Sequence, residues 1–165
     1  MLTIEQIGTV IISNNSNSMD TLEIQHYLKM IHPSLESNVY AANRLPMYTH
    51  VPTYIICNLD TDNKPGTHWI ALHIDANGSG QYFDSYGRAP TRYHLEFLKR
   101  NCKRWDWNVD TIQNDWTSVC GEYCLMYLLY KFRRFSMDSF VKIFTGNTLY
   151  NDVLVDAMFR SYFID

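Results

Sequence analysis

Apolar and polar positions along the chain change period several times, and each change predicts an element. Ser18 and Asp20 can each cap a helix. Beyond them Leu22, Ile24, Tyr27, Leu28 and Ile31 recur at helical spacing until Pro33 stops the run. Residues 34–52 have no period and carry Pro46 and Pro52, so they read as irregular. The apolar run Thr53–Leu59 predicts a central strand. Thr67–Asp75 and Gln81–Asp84, separated by a Gly-containing turn, predict a β-hairpin. Thr91–Lys99 returns to helical spacing at Tyr93, Leu95, Phe97 and Leu98. Trp105, Trp107, Val109 and Thr111 then alternate with polar residues, which predicts a strand over Trp105–Ile112. Asn114–Tyr130, NDWTSVCGEYCLMYLLY, begins polar and turns apolar, as a loop feeding a buried helix would. Two more helices follow, about Met137–Phe144 and Leu149–Phe163, joined by a turn at Thr145-Gly146-Asn147. Residues 2–12 fit a strand or a helical turn equally, and Ser13–Ser18 reads as a polar loop. Helices and strands are not in strict alternation, so the expected class is α+β.

Composition narrows this picture. At 165 residues, 46% hydrophobic and 19% charged, residues 1–165 suit one globular domain with its own core. The net charge of −3 supplies no global attraction to nucleic acid or an acidic membrane. The basic clusters Lys99–Arg104 and Lys131–Arg134 read as solvated helix ends. No apolar run reaches transmembrane length. Four cysteines, Cys57, Cys102, Cys120 and Cys124, form neither a CxxC pair nor a Cys/His spacing of a structural zinc site. No metal is therefore expected. With no secretory signal in view, reduced thiols and an intracellular setting are expected.

One thiol stands apart. Cys120 falls at the predicted start of the buried helix, where unpaired N–H groups and the positive end of the macrodipole favour a thiolate. A nucleophile needs a base, and the base needs an orienting group. His68 begins a strand just after the Gly66-Thr67 turn and suits the base. Trp69 beside it should face the other way and pack. His73, an odd number of residues further on, is expected on the opposite face and outside the site. Asp84 ends the partner strand of the hairpin, which brings it beside His68; Asp75 lies at the far, turn end. Gln113 precedes the cysteine loop, and its amide suits an oxyanion donor alongside the Cys120 N–H. Each of these residues alone would be an ordinary half-buried or solvated side chain. It is the ordered set that points to nucleophilic catalysis. Cys57 and Cys124 read as buried core thiols.

His68-Trp69, the aspartate of YFDSYG, Gln113 and Cys120-Gly121 resemble the adenovirus protease group, within the clan that includes the ubiquitin-like-protein proteases. VCGEYCLMYL resembles that family's nucleophile helix, and the seven-residue step from Gln113 to Cys120 matches the adenovirus type. The likeness runs from about Thr53 to Tyr130. The C-terminal FS…LYND…V stretch is similar to homologues in virus-like DNA transposons. The resemblance implies an α+β fold, with a central cysteine-bearing helix on a small mixed sheet flanked by further helices. It also implies a cysteine endopeptidase with His68 as base, Cys120 as nucleophile, Asp84 as orienter and Gln113 as oxyanion donor. The implied substrate is a polypeptide, a viral or virus-derived precursor, processed in a virion or in the host nucleus or cytoplasm. A protease for ubiquitin-like modifiers and an inactive binding module of the same fold are the alternatives. Two departures are visible: the acidic position is Asp84 where the adenovirus enzyme has glutamate, and the chain is shorter between the hairpin and Gln113. Cys102 lies as far before Gln113 as the adenovirus cysteine that pairs with an activating peptide. The Lys99–Arg104 cluster is what an activating DNA would contact. Coincidence is the preferred reading of both.

Overall fold

A computed structural model describes residues 1, 3, 5–6, 18–35 and 38–165. The expectations for residues 2–12 and for the Ser13–Ser18 tract fall almost wholly outside them. Among the described residues the first long element is α1, Thr21–Ile31. Asp20 accepts the Glu23 N–H and Glu23 reaches back to the Asp20 N–H, a complete capping box, and His32 closes the helix before Pro33. Ile24, Leu28 and Ile31 are buried, but Leu22, expected in the same stripe, is 74% exposed. Its position, two residues before Ile24, puts it on the far side of a helix that turns 3.6 residues at a time.

Among the described residues the sheet has five strands in the order β1-β2-β3-β4-β5. β1 (Val39–Tyr40) is a two-residue strand inside the stretch expected to be irregular, and it pairs parallel with β2 (Thr53–Asn58). Two residues are too few to show a period, so the pairing decides them. β2, β3 (Trp69–Ile74) and β4 (Ser79–Phe83) form an antiparallel meander in which Asn58 faces Trp69 and Ala71 faces Phe83. α2 (Arg92–Asn101) carries the chain to β5 (Arg104–Trp107), which runs parallel to β4. β5 is shorter than the Trp105–Ile112 strand expected, and Val109 is 72% exposed. The Asn108 side chain ends the ladder by taking over its hydrogen bonds. Its Oδ1 accepts the Asp84 N–H (2.9 Å) and its Nδ2 donates to the Asp84 carbonyl (2.6 Å).

Strand alternation sorts the core into two layers. Ile55, Cys57, Ile70, Leu72, Ile74 and Tyr82 meet Phe97 and Leu98 of α2 on one face. Ile56, Trp69, Ala71 and Phe83 meet α3 (Cys120–Phe132) on the other. Every residue of α3 from Cys120 to Leu129 is buried, as an apolar run without a polar face requires. It is enclosed by α1, by α4 (Met137–Val141) and by α5 (Thr148–Phe163). The fold is therefore α+β, with the cysteine-bearing helix central on a mixed sheet.

Candidate active site

The hairpin and the start of α3 bring three of the expected residues together. His68 lies one residue before β3 and Asp84 one residue after β4, so the antiparallel pair sets them side by side. His68 Nε2 and Asp84 Oδ1 are 2.6 Å apart, with 7% and 1% of their side chains exposed. The other imidazole nitrogen is turned away from Asp84, and the Cys120 thiol is near enough to raise the imidazole pKa. Asp84 Oδ1 accepts the Tyr86 N–H as well (2.9 Å), and the Tyr86 ring lies over the imidazole with centroids 4.7 Å apart. The turn that makes this possible closes at Gly87, whose N–H donates to the Asp84 carbonyl (2.8 Å). Gly87 has φ +69°, and a Cβ there would sit 2.7 Å from the Val109 carbonyl oxygen, so only glycine fits.

Cys120 opens α3, and among the described residues no side chain caps that helix, whereas Asp20, Ser136 and Asn147 cap α1, α4 and α5. The first amides of α3 are thus available to an incoming anion. The thiol is 2% exposed. The Ser18 hydroxyl lies 3.8 Å from its sulfur, and Met19 packs so closely on Gly121 that an added Cβ would lie 3.2 Å from its Sδ. Met19 is tethered through its carbonyl, which accepts the Trp69 indole N–H (2.7 Å). A cavity of about 360 Å³ opens beside this strap, lined by Ser18, Asp20, Asn58, Asp60, Lys64 and Trp69 among others. Trp69 packs as expected, but in the layer under α3, on the face that carries Cys120, rather than facing away from the site.

Gln113 has its own partners. It is 1% exposed, its Oε1 accepts the Ser85 hydroxyl (2.6 Å), and its Nε2 donates to the Thr117 carbonyl (3.2 Å) and hydroxyl (3.4 Å). His73 stays clear of the site, though not by facing the opposite side of the sheet. It shares the α3 face with Trp69 and Ala71, but lies at the far end of the strand beside Phe132 and Lys131, with Nδ1 on the Thr53 carbonyl (2.9 Å). His68 precedes the strand, so alternation does not govern it, and the distance is lengthwise. Cys57 and Cys124 are fully buried, and burial pushes both thiols up. Cys102 is half-buried against Gly80, its thiol raised to about 11 chiefly by burial. Lys99 and Arg100 belong to α2, on the sheet face opposite α3. Ser85, Tyr86, Asn108, Thr117 and Asp152 complete the surroundings. Ser85 and Tyr86 stand in YFDSYG and Asp152 in LYND, both quoted for the resemblance, but no role could be read for any of the five, because their partners lie far away in the chain.

The histidines separate by electrostatic setting. Burial lowers the His68 pKa, but the hydrogen bonds and charges of Asp84 and Cys120 outweigh it and carry it up to about 9. For His73 and His94 burial outweighs the backbone carbonyls and nearby charges, and both fall to about 4. Imidazole NMR titration should show His68 protonated throughout the neutral range and deprotonating near pH 9, with His73 and His94 still neutral at pH 5. A raised folded-state pKa means that His68 contributes its full stabilisation below pH 6.5. That contribution is lost as pH rises towards 9. Deprotonation of His68 below pH 7 would contradict the ion-paired arrangement.

No protein-family model matches the chain. Over its length it superposes on the ASFV pS273R protease with a TM-score of 0.62 and 18% identity, covering 92% of this chain and 69% of that one. The chain therefore has the fold of a viral protease, in line with the expected α+β class. In sequence it is 28% identical over 109 residues to R355 of Acanthamoeba polyphaga mimivirus, a candidate thiol protease; the match covers 59% of this chain and 35% of that one. The chain thus spans about a third of the length of the curated relative it matches. A structure of the SUMO protease Ulp1, its catalytic cysteine oxidised to a sulfinic acid, aligns with a TM-score of 0.47 and 16% identity over 87% of this chain and 79% of that one. Among the described residues no helix is long and apolar enough to cross a membrane, and no cluster of three or more His, Cys, Asp or Glu could hold a metal ion.

Proposed function

We propose that this chain is a cysteine endopeptidase that processes viral or virus-derived precursor proteins inside an infected cell or a virion. The observation that carries the reading is the His68–Asp84 contact of 2.6 Å beside a cysteine at the start of an uncapped, buried helix. In this reading the imidazolium and the free amides of α3 both attract a negative sulfur. The Cys120 thiolate adds to the scissile carbonyl, and the Cys120 N–H together with the Gln113 amide holds the oxyanion. His68 then gives its proton to the leaving amine, and a water activated by the neutral imidazole releases the acyl group. Asp84 keeps the ring oriented throughout and balances its charge.

The test has two arms. Iodoacetamide at pH 6 should label Cys120 faster than Cys57, Cys102 or Cys124, and a peptide-library digest should show cleavage that is lost in Cys120→Ala. Even labelling of all four thiols would overturn the catalytic assignment. Turnover of a ubiquitin-like modifier–fluorophore conjugate without any library cleavage would overturn the substrate class.

A further inference from the structure

Two fully buried polar residues of α5, Asn151 and Asp152, lie outside the proposed His68–Asp84–Cys120 group, yet their side chains are spent on the segment leading to it. Asn151 Nδ2 donates to the Ile112 carbonyl (3.0 Å), just before Gln113, and to the Thr145 carbonyl (2.8 Å). Asp152 takes the other side. Its Oδ2 accepts the Thr117 hydroxyl (2.7 Å) and the Asn114 N–H (3.2 Å), and its Oδ1 accepts the Tyr123 hydroxyl (2.9 Å) from α3. Burying a carboxylate is costly unless donors surround it, and here the loop and the nucleophile helix both supply them.

The carboxylate also sets a direction. The Thr117 hydroxyl has one proton and two acceptors within reach, Asp152 Oδ2 at 2.7 Å and the Asn114 carbonyl at 3.0 Å. The charged and closer acceptor takes the proton. The Thr117 oxygen then presents lone pairs to Gln113 Nε2 at 3.4 Å, next to the Thr117 carbonyl at 3.2 Å. With Ser85 donating to Gln113 Oε1, the amide has its nitrogen end defined by Thr117 and its oxygen end by Ser85. We propose that Asp152 is a positioning residue for the oxyanion donor: through Thr117 it fixes the orientation of the Gln113 amide, leaving one N–H for the developing oxyanion. This rests on the peptidase reading above.

The experiment separates nucleophile reactivity from oxyanion stabilisation. Alkylation of Cys120 by iodoacetamide needs the thiolate but forms no oxyanion. Acetyl-glycyl-glycinal does form one: the sulfur bonds to the aldehyde carbon and the carbonyl π pair moves onto oxygen, giving a hemithioacetal alkoxide that His68 protonates. In Asp152→Asn and in Thr117→Val, the alkylation rate should stay within about twofold of wild type. Aldehyde affinity, read as protection from alkylation, should fall about 10- to 100-fold, the scale of a displaced oxyanion donor. Thr117→Ser, which keeps the hydroxyl, should restore it. Unchanged aldehyde affinity in Asp152→Asn, or an equal fall in both readouts, would overturn the role of Asp152 while leaving the peptidase standing. Slow alkylation of wild-type Cys120 would instead bring down the peptidase reading and this inference with it.

Discussion

Substituting His68 by glutamine is expected to lower kcat/KM by roughly 10⁴- to 10⁶-fold, the scale seen when the general base of a nucleophile–base pair is lost. Glutamine is the informative replacement. Asp84 is fully buried, and the hydrogen-bond partners of its carboxylate among the described residues are the His68 imidazole and the Tyr86 N–H. An alanine would leave that carboxylate without its cation, and the loss of fold could be mistaken for a loss of chemistry. A glutamine amide can still donate to Oδ1 but cannot exchange a proton with sulfur. The check is turnover of a library-derived peptide together with circular dichroism and a urea unfolding curve. Residual turnover within tenfold of wild type, in protein that unfolds normally, would remove His68 from the mechanism.

The second large effect concerns stability. Phe140 of α4 is fully buried and packs edge-on against four rings: Phe83 of β4 (centroids 5.5 Å apart), Tyr127 of α3 (5.7 Å), Tyr130 (5.2 Å) and Phe144 (5.3 Å). Phe83 and Tyr127 are themselves stacked at 4.5 Å, so the cluster joins the strand that delivers Asp84 to the helix that starts with Cys120. Phe140→Ala should cost about 3–5 kcal/mol and lower Tm by about 10 °C, because the hole left among rigid rings cannot collapse. Phe135, 51% exposed, is the control, and its alanine variant should unfold within about 1 kcal/mol of wild type. Equal midpoints for the two variants would show that the layer does not contribute as its packing indicates.

Comparing the candidate site with the sequence shows where local reasoning reaches. Asp84 beside His68 was legible because a hairpin is a local object: its turn and its two strands determine which ends meet. Cys120 at a helix start was legible because the chain changes there from polar to apolar. The parity argument for His73 gave the right exclusion for the wrong geometric reason, since His68 lies before the strand rather than in it. Glu122 shows another limit. It is two residues from Cys120 and 5% exposed, and burial pushes its carboxyl up to about 7, with Asp156 of α5 and Glu23 of α1 adding to the rise. A glutamate in a first helical turn reads as solvated; here two other helices cover it.

What the sequence by itself determined is everything set by period and by short-range contact: the central buried helix, the strand β2, the capped α1, and the hairpin pair that holds His68 and Asp84. Tertiary structure alone decided the two-residue strand β1, the early end of β5 at Asn108, the Tyr86 ring over His68, and the α5 carboxylate behind Thr117 and Gln113. The physical reason is the same for each. These residues bond to groups far away in the chain, and a side chain carries no trace of a partner it meets only after the chain has folded.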